Sequence, residues 1–310
     1  MAFYASSPRA EAIGATLVRE SLERFGPRGL EAERFALTLL LHDQPLEGVL
    51  RTAPTGFGYR ADRPFYPCSV VKLFYLVAAF ARLKEGLIRP HEDLDRAMRD
   101  MILYSSNTGT NYVIDLVTET TGDTLLEGDA LEQWAHRRDA VNRFLQSFGW
   151  PEFAPINLCQ KLMDDERYGR EKQFVGKDGA NHNRLTTDAT ARLFHAIFTG
   201  QVIDSETSLR IRALLHRPLD PAWVEAEPAS QVKGYFGEGL PAGSRLWSKA
   251  GWTAWTRDPW ASFRKHDAAY IELPGGRAFT LVAFTEGKAI SANAECLPFI
   301  ARQACQLVAA

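Results

Sequence analysis

Cysteine is scarce in this chain of 310 residues: Cys68, Cys159, Cys296 and Cys305 are its four, and no two form a CxxC pair. That excludes a disulfide scaffold and a cysteine-based metal site. Long apolar runs are missing too. The longest, residues 73–81, spans nine positions, whereas crossing a bilayer takes about 20. Near its start the chain carries Arg9, Glu11, Arg19, Glu20, Glu23 and Arg24 in a helical pattern, not a basic end followed by an apolar stretch. The chain as given is therefore expected to lack a secretory signal and to be cytoplasmic, or periplasmic if a leader was removed. Charge of one sign is missing as well. The 36 Lys and Arg against 38 Asp and Glu leave −2, and no basic run offers a nucleic-acid face. The seven histidines form neither HxH nor HExxH, so no metal is expected. Gly56 and Gly58 begin a GxG that does not continue, and no GxxxxGK precedes Ser or Thr, so no nucleotide cofactor is expected. What remains is an ordinary globular composition, a small-molecule partner and chemistry done by side chains alone.

Hydrophobic spacing organises the chain. Ile13, Leu17, Val18, Leu22 and Phe25 make residues 8–25 a one-faced helix closed by Gly26. Residues 35–41 and 49–53 read as strands. Long helical patterns follow at 69–85, 91–104, 108–118, 139–148 and 187–198. Beyond Gly200 come a helix at 205–215, strands at 245–249, 268–273 and 278–284, and a helix at 292–308. Pro274-Gly275-Gly276 makes a hairpin turn between the last two strands. The expected fold is α/β of the α+β kind: an antiparallel sheet flanked by N- and C-terminal helices, with an inserted all-helical lobe. On this reading residues 1–68 and 201–310 form the sheet lobe and 69–200 the helical lobe, with the site between them.

Pro67-Cys68-Ser69-Val70-Val71-Lys72 takes a proline-bearing loop into an apolar helix. Ser69 and Lys72, three apart on a helix, share a face. The helix N-terminus favours developing negative charge, and a lysine kept neutral by burial or by other cations can take the serine proton. That makes a nucleophile without histidine. SxxK alone is weak: it recurs at Ser262 and Lys265, SxN occurs at Ser105/Asn107 and Ser291/Asn293, and KxG begins at Lys84, Lys177 and Lys249. Order and context select one set. Ser69/Lys72 open a helix, Ser105/Asn107 stand at a helix junction, and Lys249/Gly251 lie on a strand beside the C-terminal hairpin.

With these residues the sequence resembles the penicillin-recognising serine enzymes, class A β-lactamases and DD-peptidases, which carry SxxK, S-D-N or SxN, and K-T-G. Residues 101–111, Met-Ile-Leu-Tyr-Ser-Ser-Asn-Thr-Gly-Thr-Asn, are similar to the class A second motif. Residues 184–191 resemble the Thr-rich helix start that follows the family's Ω-loop. The resemblance implies the β-lactamase/transpeptidase-like fold and an acyl-enzyme hydrolase for a β-lactam, amide or ester. It makes Ser69 the nucleophile, Lys72 its proton acceptor and Ser105 the proton donor to the leaving nitrogen. Asn107 would hold the substrate amide and the Lys72 ammonium, and Lys249 would anchor an anionic substrate and depress the Lys72 pKa. Gly251, Trp252 and Thr253 would border the substrate, and the oxyanion hole would use the Ser69 N–H and one near Trp252 or Thr253.

The sequence departs from the pattern at three places. Ala250 replaces the hydroxyl of K-T-G, with Ser248 or Thr253 as substitutes. Ser106 replaces the aspartate of S-D-N. Residues 149–183 hold no ExxLN-like signature for a deacylating glutamate, leaving Glu152, Asp164, Asp165, Glu166 and Glu171, of which Glu166 and Glu171 are the candidate bases, although a solvated charged loop is the favoured reading of 164–167. The 36 residues from Ser69 to Ser105 imply a trimmed helical lobe. Trp247, Trp252, Trp255 and Trp260 either wall an acyl pocket or pack the sheet, and Cys68 is expected as buried packing. The alternatives are a cytosolic amidase or esterase, a DD-peptidase-like enzyme, and a non-enzymatic acyl-binding descendant.

Overall fold

A computed structural model describes residues 3–46, 53–163 and 166–310. Helix α1 (Pro8–Phe25) starts where Ser7 accepts from the Ala10 N–H and Pro8 takes the first helical position, a proline site that sacrifices no hydrogen bond. Its Ile13, Leu17, Val18 and Phe25 are buried. The chain then enters β1 (Phe35–His42), which pairs with β2 (Thr55–Tyr59). The expected strand at 49–53 falls mostly outside the described residues, and the strand found begins at Thr55.

The helical part comprises α2 (Lys72–Lys84), α3 (Glu92–Leu103), α4 (Asn107–Thr118), α5 (Gly128–Arg138), α6 (Ala140–Gln146), α7 (Gly169–Val175), α8 (Thr187–Phe198), α9 (Ser205–Leu215) and α10 (Pro221–Ala226). The α2 stretch Leu73–Ala81 is buried on every side, which accounts for an apolar run with no polar stripe. The expected helix at 69–85 begins as a 3₁₀ turn, Cys68–Val71, before α2 proper. The strands β3 (His216–Arg217), β4 (Arg245–Ser248), β5 (Gly251–Thr253), β6 (Arg264–Glu272) and β7 (Ala278–Glu286), with α11 (Lys288–Ser291) and α12 (Cys296–Ala309), complete the chain.

The sheet is antiparallel in the order β2-β1-β7-β6-β4-β3, with β5 also paired to β6. Along β7, Phe279, Leu281 and Ala283 face the core under α1 and α12, while Val282 and Phe284 face the core shared with α2 and α8. This two-residue alternation places a helical layer on each face. The β6–β7 turn closes as expected, with Leu273 N–H donating to Arg277 O and Gly276 at φ 79°. Among the described residues no helix is long and apolar enough to cross a membrane.

Candidate active site

Ser69 lies in the 3₁₀ turn ahead of α2, half-buried between buried Cys68 and Val70. Cys68 has φ 49°, a left-handed backbone that costs a non-glycine residue about 1–3 kcal/mol unless its surroundings enforce it. One constraint is β5. A Cβ at Gly251 would stand 2.8 Å from Ser69 N, 2.9 Å from Cys68 Cβ and 2.9 Å from Pro67 O. The strand therefore seats directly on the turn that carries Ser69, and the glycine of KxG is a steric requirement. The Cys68 thiol is buried and pushed up to about 12, the behaviour of a packing residue.

Lys72, wholly buried, reaches the α3–α4 junction. Its ammonium donates to the Ser105 carbonyl and to Asn107 Oδ1 at 2.9 Å, and stands 3.4 Å from Ser105 Oγ. Ser105 has φ 57°, which turns its carbonyl and hydroxyl to the same side. Ser106 is the N-cap of α4, accepting from Gly109 N–H at 3.0 Å. Serine and aspartate are equally good caps, so replacing the aspartate of S-D-N leaves the helix start intact.

Lys249 arrives from the opposite wall, with Nζ 3.0 Å from the same Ser105 Oγ, 3.1 Å from Gln231 Oε1 and 2.9 Å from Ala250 O. Three acceptors use its three protons, and the residue is 1% exposed. Burial, then the Lys72 and Arg217 charges, hold its pKa well below the ordinary lysine value. All three of its protons are therefore used within the protein. Asp267, beneath it on β6, accepts from Phe236 N–H at 2.9 Å and Ala268 N–H at 2.8 Å and is raised by burial to about 7.

Other expected residues are placed differently. Thr253 faces the Cys68–Val71 turn, its Oγ1 3.7 Å from Cys68 Sγ, and donates to Ala261 O at 2.6 Å. Trp252, one residue before it, takes the opposite face of β5 and donates from Nε1 to Ser291 O at 2.9 Å, so its indole points away from Ser69 although its backbone borders the turn. Trp247 is core, edge-on to Phe198 and tilted against Tyr270, whereas Trp252, Trp255 and Trp260 are exposed. Ser248 is buried at the end of β4.

The two candidate bases differ in their surroundings. Glu171 is buried and held by Arg138, at 2.7 Å on each of two pairings, with Lys161 at 3.9 Å. Glu166 is exposed and pairs with Lys172 at 3.4 Å. Glu152 lies buried on the far side of α8, lining a cavity with Tyr4 and Asp188. Asp164 and Asp165 lie outside the described residues.

The duplicate motifs have structural duties. Ser262 Oγ donates to Asp258 O at 2.7 Å and accepts from Thr256 N–H at 3.0 Å, Lys265 donates to Asn293 O at 2.7 Å, and Asn293 Oδ1 accepts from Glu295 and Cys296 N–H at the start of α12. Sequence reasoning missed Gln231 and Asp267, which carry no motif. It also missed what orders the segment before residue 163. Asn111 accepts from Leu162 N–H at 3.0 Å and donates to Leu162 O at 2.9 Å, and Asn183 Oδ1 accepts from Cys159 and Gln160 N–H at 3.0 and 2.9 Å.

Residues 93–308 match the model of the Beta-lactamase enzyme family. The chain belongs to this family. It is a serine hydrolase of the β-lactamase type. Among solved structures it is similar to a β-lactamase from Sphaerobacter thermophilus, at 20% identity and TM-score 0.63 over 95% of this chain and 97% of that one. It is similar also to PBP-A, at 15% identity and TM-score 0.59 over 98% and 97%. A variant of the class A β-lactamase of the last common ancestor of Gram-negative bacteria shares 19% identity, TM-score 0.61, over 95% and 99%. At these identities the likeness is one of fold. No curated relative matches the sequence. In this β-lactamase family member, no group of three or more His, Cys, Asp or Glu among the described residues is placed to hold a metal ion.

Proposed function

We propose that this enzyme opens β-lactam rings through an acyl-enzyme at Ser69 and releases the product slowly. The observation that carries the reading is the Ser105 hydroxyl, which lies 3.4 Å from Lys72 Nζ and 3.0 Å from Lys249 Nζ, next to a nucleophile turn that Gly251 clamps. Two cations converging on one hydroxyl repel each other, which favours a state with one of them neutral; the reading assigns that role to Lys72 and keeps Lys249 charged. Neutral Lys72 takes the Ser69 proton as Oγ attacks the ring carbonyl. The oxyanion is met by the N–H groups of Ser69 and residue 252. As the C–N bond breaks, Ser105 passes a proton to the departing nitrogen and is reprotonated from the lysine side. Asn107 orients the substrate amide and Lys72.

Hydrolysis of the ester then needs an activated water. With Glu171 held by Arg138 and Glu166 lining a surface groove whose walls do not include Ser69, the reading leaves that step without a positioned base, a loss of about 10²–10⁴-fold. Ala250 removes a hydroxyl contact to the substrate carboxylate, worth about 1.5–3 kcal/mol, and weakens initial binding. A PBP-A mutant is described as an acyl-enzyme complex with penicillin G, at 16% identity and TM-score 0.58. That is in keeping with a persistent penicillin adduct; a DD-peptidase-like or amidase reading, which Ala250 favours, is the second choice.

Stopped-flow hydrolysis of a chromogenic cephalosporin, followed by intact mass, tests the proposal. A burst equal to enzyme concentration, then a slow steady state with a persistent adduct, is expected. Ser69→Ala abolishes the adduct and Ser262→Ala does not. Labelling of the Ser69→Ala protein sinks the nucleophile assignment; fast turnover without an adduct sinks slow deacylation.

A further inference from the structure

Gln231 follows the Pro228–Ser230 turn with a left-handed backbone, φ 60°, a conformation that glycine, asparagine and aspartate adopt most readily. Backbone geometry alone does not select glutamine here. Its side chain reaches the Lys249–Ser105 pair: Oε1 lies 3.1 Å from Lys249 Nζ, and Nε2 donates to Tyr235 Oη at 3.2 Å. An ammonium has donors only, so the carboxamide turns its oxygen to Lys249, and the Tyr235 hydroxyl takes the N–H that this orientation leaves over. The loop behind the side chain is fixed. Val232 is buried, its carbonyl accepts from Tyr235 and Glu238 N–H at 3.2 Å, and Phe236 N–H donates to Asp267 Oδ2 at 2.9 Å.

Charge does not hold the Lys249 ammonium in place. Lys72 on α2 and Arg217 on β3 repel it, and Asp267 on β6 is bonded to backbone N–H groups instead. Cys68, in the turn before α2, is pushed up to about 12, and Tyr235 is raised by burial, so both are neutral near pH 7. Of the three acceptors on Lys249, Ala250 O is its own chain neighbour and Ser105 Oγ is the group it serves, which leaves Gln231 to fix where the ammonium sits.

We propose that Gln231 is a positioning residue for acyl transfer: its carboxamide, oriented by Tyr235, holds the Lys249 ammonium against Ser105. The inference rests on the acyl-enzyme reading and adds to it a residue from outside the three motifs. A hydrogen bond that only the charged lysine can donate in full favours that form, so losing it moves the basic limb of acylation as well as the rate.

Gln231→Gly is the deciding variant, because glycine suits the left-handed backbone and only the side chain is lost. Its thermal midpoint is expected to hold. Acylation by a chromogenic cephalosporin, read by stopped flow, should slow about tenfold, and its basic limb should move about one pH unit toward acid. Gln231→Glu sets a carboxylate beside the ammonium and should move the limb to higher pH. Tyr235→Phe releases the carboxamide to flip and should move it toward acid by less than Gln231→Gly does. A limb unmoved in Gln231→Gly, or moved the same way by glycine and glutamate, overturns the proposal. If Gln231→Gly does not fold, Gln231→Glu decides: a limb at higher pH supports the proposal, and an unmoved one overturns it. A second arm needs no chemistry. NMR of lysine labelled at Cε follows the Lys249 titration in the resting wild-type and Gln231→Gly proteins, with Lys249→Arg identifying the signal by its loss. If the wild type forms no adduct, the acyl-enzyme reading fails, and NMR then decides whether Gln231 holds Lys249: a titration shifted toward acid in Gln231→Gly supports it, and an unshifted one overturns it.

Discussion

Gly251 shows why a motif residue that does no chemistry is needed. The atoms a Cβ would meet there are mostly backbone, at 2.8 and 2.9 Å, and backbone cannot swing aside as a long side chain can. Gly251→Ala is therefore expected to displace the nucleophile turn or lift β5, lowering acylation by about 10²-fold, the cost of misplacing a reacting group by about 1 Å. Folding stability should fall far less. Wild-type acylation rates in the variant would refute the clamp. Lys249 yields a second expectation at this scale. Its burial and the nearby Lys72 and Arg217 charges hold its pKa below the ordinary value, so its positive potential fades as pH rises through a point below about 10.4. Acylation should decline on that basic limb. In Lys249→Arg the guanidinium stays charged, and the limb should move to higher pH; an unmoved limb would assign it to another group.

At the level of elements, legibility in the sequence followed periodicity. Helices α1, α2, α3, α4, α8, α9 and α12 carry apolar faces, and each was expected within a few residues. Strands β3 and β5 span two and three residues, too short for alternation to register. Helix α5 buries only Trp134 and Arg138 and α7 only Glu171, so no apolar stripe announces them. The meeting of Lys72, Ser105, Asn107 and Lys249 was legible because SxxK, SxN and KxG each sit at a recognisable boundary between elements. Gln231 sits in a loop at φ 60° with no pattern around it. The segment 157–162 is likewise fixed by side chain to backbone bonds from Asn111 and Asn183, which leave no periodic trace. Asn111→Ala removes both bonds to Leu162 and leaves that peptide group unpaired, a loss of about 1–3 kcal/mol. The expected result is faster proteolysis and amide exchange confined to residues 157–163, with α4 unchanged. Uniform exchange across the protein would mean that Asn111 supports the fold globally.

Across the whole molecule, buried titratable groups set how the enzyme meets acid. Burial holds His42 to about 3, His195 to about 4 and His266 to about 3, all below the unfolded value near 6.5. Between pH 6.5 and about 4 the unfolded chain binds protons at these rings that the folded chain refuses. Their effect is full stability above pH 6.5, lost as pH falls through that window. Asp267 acts oppositely. Its folded value of about 7 exceeds the ordinary aspartate value near 3.9, so the folded state holds an extra proton in between and offsets one histidine. Asp115 and Asp188, raised by burial, add to that offset toward the carboxylate range, while Asp258, lowered to about 2, works against it. Near pH 6 the three unfolded rings hold about 2.3 protons against about 0.9 on folded Asp267, leaving a net of about 1.4 protons and a slope of about 1.9 kcal/mol per pH unit. Urea unfolding at pH 7.0, 6.0 and 5.5 should show stability falling with acid at unchanged m. The ring of His195 packs 5.9 Å from Phe3 and 6.0 Å from His42, and its Nδ1 has no hydrogen-bond partner. His195→Phe keeps that packing and removes one proton site, so the slope should flatten by about half. A wild-type stability that is level from pH 7.0 to 5.5, or a His195→Phe slope equal to the wild type's, would show that these buried rings do not govern the acid response.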